Sequence, residues 1–172
     1  NPRPNPAGSN PDMGAYENPF GTPQHMPITI NVPDDYATIQ EGLNAADSTD
    51  TILVQPGTYY ENIIWPETNG IKLLSAGDSS NTIIDGGSNG SVITINGAGL
   101  AIDSTTVIRG FKITNGSSIF YGGGIAMDGV INPVLVDLLF VNNSAYYGGA
   151  LSCKQASPII NNVVARNNTA TE

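Results

Sequence analysis

Short runs in which apolar and polar residues alternate recur along most of this chain. They are too brief for helices and are divided by turn-forming residues. Ile28-Thr29-Ile30-Asn31-Val32 alternates as a strand, and Thr51 to Gln55 reads as a buried one that meets a Pro56-Gly57 turn. Between them lies the one convincing helical pattern. Thr38 and Glu41 have capping-box spacing, and Ile39, Leu43 and Ala46 fall on one face, which must lie against something. Asp47-Ser48-Thr49-Asp50 ends that helix. Residues 1–27 carry seven of the twelve prolines and little apolar periodicity, so they read as an extended linker.

From Thr106 onward the chain repeats. The runs ending at Asn115, Asn142 and Asn167 align at spacings of 27 and 25, and Gly122-Gly123-Gly124-Ile125 and Gly148-Gly149-Ala150-Leu151 lie 26 apart. Thr82-Ile83-Ile84-Asp85-Gly86 reads as a weaker copy of the run that starts at Thr106. A period near 25, with several short β runs per repeat and no intervening helix, excludes helical solenoids and doubly wound sheets. Antiparallel sandwiches do not demand a fixed period with recurring turn chemistry. The expected fold is all-β: a right-handed parallel β-helix, or solenoid, over 28–172 with a short N-terminal capping α-helix.

The residues that carry a family likeness are Tyr36 to Ala46 followed by Asp50-Thr51-Ile52-Leu53-Val54-Gln55-Pro56-Gly57-Thr58-Tyr59-Tyr60-Glu61-Asn62-Ile63. This stretch resembles the cap and first coil of the pectin-lyase-like parallel β-helix superfamily. Phe140-Val141-Asn142-Asn143 with Gly148-Gly149-Ala150-Leu151 is similar to the repeats of polymorphic outer-membrane surface proteins. Asp12-Met13-Gly14-Ala15-Tyr16-Glu17 resembles the closing motif of β-helix domains in secreted multidomain bacterial proteins, so residues 1–27 are read as a linker or the end of a preceding domain. The resemblance implies an extracellular or cell-surface location and acidic-polysaccharide chemistry in those relatives that are enzymes.

Stacking in register makes residue-level expectations. Phe111/Ile113, Leu138/Phe140 and Val163/Ala165 should point inward, as should Ile125/Met127 and Leu151/Cys153, which makes Cys153 a small buried hydrophobe rather than a reactive thiol. Trp65 should pack beneath the cap. Asn115, Asn142 and Asn167 should form an amide ladder at a tight turn, although they also lie in three of four Asn-x-Ser/Thr sequons, the fourth at Asn89. Asp128 and Lys154 should face each other on neighbouring rungs. At Glu172 the next Gly-Gly strand would be due, so the β-helix is read as truncated there. Further rungs or a partner chain would then cover the end.

Charge narrows the function. Six Lys+Arg against fifteen Asp+Glu leave a net charge of −9, the wrong sign for nucleic acid or an anionic membrane surface. Nineteen Asn and twenty Gly supply polarity without charge and suit left-handed turns. One Cys excludes an internal disulfide, and no run of eighteen apolar residues could span a bilayer.

Candidate chemistry is sparse. The only histidine, His25, falls in the linker, which deprives a Ser/His/Asp or Cys/His arrangement of its base. Lys72, Arg109, Lys112, Lys154 and Arg166 are the candidate bases. Beside Arg109 and Lys112 the next rungs offer Val136/Asn161 and Leu139/Val164, with no carboxylate. Asp85, Asp103, Asp128 and Asp137 are the acidic candidates; no calcium-loop spacing appears, so Ca²⁺ is unsupported, no metal site is assigned, and no catalytic residue is assigned. The aromatics are more suggestive. Phe120-Tyr121 and Tyr146-Tyr147 each precede a Gly-Gly strand, 26 residues apart. A column of such rings can present flat faces to sugars or staple a turn. The sequence is read as a non-catalytic stalk or adhesin-like segment with glycan as partner. Two alternatives stay open: part of a polysaccharide lyase or glycoside hydrolase with its catalytic rungs elsewhere, or secreted cargo held by a secretion or assembly machine.

Overall fold

The computed structural model describes residues 25–97 and 102–172. Almost all of the linker read at 1–27, with its Asp12–Glu17 motif, lies outside the described residues. The chain opens with β1 (Thr29–Val32) and helix α1 (Ile39–Ala45), and then winds through about five coils. The first two coils hold β2 (Thr51–Val54), β3 (Gly57–Tyr60), β4 (Ile63–Ile64), β5 (Lys72–Ser75), β6 (Thr82–Asp85) and β7 (Ile93–Asn96). The third holds β8 (Val107–Arg109), β9 (Lys112–Thr114), β10 (Ser117–Tyr121) and β11 (Ile125–Asp128). The fourth holds β12 (Val134–Val136), β13 (Leu139–Val141), β14 (Ser144–Tyr147) and β15 (Leu151–Lys154), and β16 (Ile159–Asn161), β17 (Val164–Arg166) and β18 (Thr169–Ala170) form the fifth. Every pairing between these strands is parallel, and the strands gather into four sheets: β1-β2-β5-β8-β12-β16, β3-β6-β9-β13-β17, β4-β7-β11-β15 and β10-β14-β18. The fold is therefore an all-β parallel solenoid with one short helix among the described residues.

Register explains why this sequence holds together. In the first sheet Ile30, Ile52, Leu73, Ile108, Leu135 and Ile160 sit directly over one another, pointing inward. In the second sheet Ile84, Ile113, Phe140 and Ala165 do the same. Each side chain is buried by its neighbours above and below, and each such burial is worth about 1.5–3 kcal/mol. Leu135 and Phe140 are accordingly almost fully buried, as are Phe111 and Leu138. On the fifth coil the same columns are exposed, since no described residue lies beyond: Ile160 is 52% exposed. Cys153 corrects the expectation of a buried thiol for this reason. It occupies the inward column over Met127, yet it is exposed at the rim of the stack.

The opposite end is closed by α1. Thr38 and Glu41 complete the capping box, and Glu61 accepts from the N–H groups of Ile39 and Gln40, both at 2.9 Å. Gly42 lets the helix lie close, because a Cβ there would come within 3.3 Å of Val32 and 3.4 Å of Ile52. Asp50, buried behind the helix, accepts from Ile28 N and Asp47 N at 2.9 Å each and from His25 Nε2 at 2.6 Å. The sole histidine thus ties the entering chain to the cap.

Two details differ from the sequence expectation. Thr82–Asp85 pairs not with the strand following Thr106 but with Lys112–Thr114, because long connections after β5 and β7 stretch the second coil. The amide ladder is displaced by one residue. Asn115, Asn142 and Asn167 take left-handed angles (φ 56, 56 and 54°) at the corner, where Asn115 bonds Asp85 on the coil below rather than another asparagine of the series. The following residues turn inward instead. Asn143 Oδ1 accepts from Gly116 N at 2.9 Å, Asn143 Nδ2 donates to Ile113 O at 3.0 Å, and Asn168 repeats the arrangement by donating to Phe140 O at 3.0 Å.

Candidate functional site

The four aromatic residues singled out in the sequence lie on the β10 and β14 strands. Ser117 pairs with Ser144 and Ser118 with Ala145, but the next pair is Tyr121 with Tyr147, so β10 carries one extra residue. This bulge absorbs the difference between the 27-residue Asn spacing and the 26-residue Gly-Gly spacing, and it turns Ile119 and Phe120 outward, 81% and 62% exposed. Immediately after it, Gly122 and Gly148 adopt left-handed angles of 54° and 68°. A Cβ on Gly123 or Gly149 would collide with the backbone of the next rung, which accounts for the repeated Gly-Gly pair.

The bulge brings three rings together. Tyr121 stacks on Tyr147 with centroids 5.4 Å apart and planes 19° from parallel, while Tyr146 meets Tyr147 edge-on at 4.7 Å. Phe120 stands beside Tyr121 on the rim of a groove of about 240 Å³ rather than stacking on Tyr146 as the 26-residue spacing predicts. Lys154 Nζ sits 5.7 Å from the centre of the Tyr121 ring and 2.9 Å from Asp128 Oδ2. That hydrogen bond to Asp128, with the carboxylate charge behind it, raises the Lys154 proton affinity above its ordinary value. The ammonium is therefore firmly cationic at neutral pH.

The groove floor consists of short outward residues of β7 and β11, Thr94 and Ala126, flanked by Asn96 and Asp128. Sequence reading identified the Asp128–Lys154 pair but not that it flanks the aromatic column. Nor did it find Thr94, Asn96 and Ala126, whose short or uncharged side chains carry no chemical signature when read along the chain.

The other candidates are dispersed. Arg109 and Arg166 line a separate groove of about 570 Å³ on the corner between the first two sheets, together with Asp78, Asp137 and Asn162. Val136 and Asn161 do neighbour Arg109, and Leu139 and Val164 neighbour Lys112, but the corner residue Asp137 and the β5–β6 connection bring carboxylates to the same groove. Asp85 accepts from Asn115 Nδ2 at 2.8 Å, Asp137 from Asn162 Nδ2 at 2.7 Å, and Asp103 from Thr105 N at 2.8 Å. Trp65 is buried in the core, with its indole N–H unpartnered among the described residues. Among the described residues no three His, Cys, Asp or Glu side chains converge as a metal site, and no helix is long and apolar enough to cross a membrane.

Chemically, the aromatic groove offers stacking faces, one ammonium and one carboxylate at its rim, and a flat, weakly polar floor. That combination can hold a ring with an apolar face and hydroxyl edges. Compared with models of known protein families, with curated proteins and with solved structures, the chain gives no match.

Proposed function

We propose that this chain is a non-catalytic β-helix segment of pectin-lyase-like type from a secreted or cell-surface protein, and that its aromatic groove holds saccharide. The observation that carries this reading is the Tyr121–Tyr147 stack standing open to solvent beside Lys154 and Asp128. A ring pair that only stapled a turn would bury its faces, whereas Tyr121, Tyr146 and Tyr147 are each 40% exposed or more. Exposed aromatics cost solvation that a sugar face relieves, and hydroxyl groups suit the charged pair at the rim.

The test is affinity electrophoresis through gels containing neutral or acidic polysaccharides. Retardation by at least one polysaccharide, lost in Tyr121→Ala and Tyr147→Ala but kept in Ile119→Ala, supports the reading. Equal mobility of wild type and both tyrosine variants in every gel rejects it.

A second reading differs from an enzyme with its catalytic rungs elsewhere: it places polysaccharide cleavage in this chain's own Arg109–Asp78–Asp137–Arg166 groove. It requires new reducing ends when the chain is incubated with polysaccharide, lost on Arg109→Ala. No release over prolonged incubation removes it.

A further inference from the structure

The aromatic groove does not end at its own rim. Toward the cap lies a second groove of about 720 Å³, lined by Gln40 and Asn44 of α1 together with Asn62, Ile64, Trp65 and Asn96. Asn96 lines both grooves. Between them the outward column of one sheet runs without interruption, since Ile64, Thr94, Ala126 and Ser152 occupy equivalent positions on β4, β7, β11 and β15. Parallel strands lie about 4.8 Å apart, so these three steps span about 14 Å, close to three sugar units end to end.

We propose that this continuous face is a single track for a linear, uncharged glycan, entered at the Tyr121 stack and ending at an amide subsite beside the cap helix. The proposal rests on the saccharide reading of the aromatic groove and extends it to chain length and charge.

The cap end is chemically suited to hydroxyl or acetamido groups. Gln40 is fully committed, bridging Asn44 Oδ1 and both backbone groups of Ile64. That arrangement fixes Asn44 and leaves its Nδ2 as a donor without a partner among the described residues. Asn62 likewise spends Nδ2 on Gly86 O and Ser91 O, which leaves Oδ1 as an acceptor. Trp65 also lines this groove, with its indole N–H sealed beneath the surface.

Charge sets the class. The track holds Glu67 and Asp128 as acids and Lys154 as its one cation, which is already paired to Asp128, on a chain of net charge −9. Uronate or sulfate groups along such a face would meet Glu67 at the cap end and, at the other, a cation already paired. Neutral hexose or pentose chains carry no charge for Glu67 to repel.

Calorimetric titration of the intact chain decides the matter, using cello-, xylo- and manno-oligosaccharides of two and six units, with hexagalacturonate as the acidic probe. The expected result is that one neutral hexamer binds at least about tenfold tighter than its dimer and than hexagalacturonate. Asn44→Ala should weaken that hexamer about three- to tenfold, the worth of one hydrogen bond, and leave the dimer unchanged. Alanine is a good helix former, so α1 should persist, and thermal unfolding verifies it. Ile64→Lys, an obstruction on the exposed cap-side part of the column and outside the aromatic groove, should reduce hexamer affinity to that of the dimer. If dimer and hexamer bind alike and only Tyr121→Ala matters, the track is wrong and the aromatic site stands. Preference for hexagalacturonate overturns the charge argument, and failure of all three neutral series overturns the proposal outright.

Discussion

The side-chain oxygen of Asn168 accepts from both the backbone N–H and the side-chain Nδ2 of Asn143, each at 3.0 Å. Two successive coils are thereby joined through a buried amide, since Asn143 also serves Gly116 and Ile113 on the coil below. Removing the Asn143 side chain takes the acceptor from Gly116 N and the Nδ2 donor from Ile113 O on the coil below, and on the coil above leaves Asn168 Oδ1 with the Asn143 backbone N–H alone. Asn143→Ala should destabilise the fold by about 2–4 kcal/mol in denaturant unfolding. Its neighbour Asn142 gives the contrast. Asn142→Gly, at a corner already in the left-handed region, should be neutral or slightly stabilising. Equal losses at both positions would contradict the displaced ladder.

Position in the stack should outweigh residue type. Leu135 and Ile160 are register partners, but Leu135 is fully buried and Ile160 is half exposed. Leu135→Ala should cost about 2–5 kcal/mol, while Ile160→Ala should cost less than about 1 kcal/mol. Comparable costs would mean that something covers the fifth coil in solution.

Acidity should act on the cap. The hydrogen bond to Asp50, reinforced by the charges of Asp50 and Asp47, raises the His25 proton affinity above its ordinary value of 6.5. Burial pushes Asp50 up, but the bonds from Ile28 N, His25 and Asp47 N prevail, and its carboxyl lies below the ordinary 3.8. A raised histidine contributes stability in full below 6.5 and loses it as pH climbs through the folded value. A lowered carboxyl contributes in full above 3.8 and loses it as pH falls. The latch should therefore be strongest between about pH 4 and 6.5. Thermal unfolding followed from that range to higher pH should show a fall in melting temperature above pH 6.5 that His25→Gln abolishes. A flat profile in wild type would show that the latch does not contribute.

The exposed rim thiol should behave as a slow one. Burial against its neighbours holds the Cys153 proton more tightly than usual, so little thiolate forms at neutral pH despite its exposure. Iodoacetamide labelling should proceed more slowly than for a free cysteine peptide and accelerate only at higher pH. A rate at or above that of the peptide would refute the assignment.

What could be read beforehand, and what could not, follows from how a solenoid stores information. The Asn and Gly-Gly spacings report the register directly, so Tyr121 over Tyr147, Met127 beneath Cys153 and Asp128 beside Lys154 were all legible. The extra residue in β10 was not, because an added Ile119 or Phe120 looks like any apolar letter until the pairing on either side is known. The same blindness displaced the ladder, since Asn142 and Asn143 are identical as letters and only backbone angle separates the corner from the interior. The second coil was misaligned because its connections are longer than those that set the period. Gln40, Asn44, Asn62 and Asn96 reach one groove from positions up to 56 apart in the chain, and nothing in local pattern announces that meeting.

Consider finally the bare outward column of Ile64, Thr94, Ala126 and Ser152, one position drawn from each storey of the building. None of these four side chains supports the interior, so each can be rewritten without disturbing the floors around it. A recognition surface laid out in this way can be retuned like a combination lock, one wheel at a time, while the tower behind it stays unchanged.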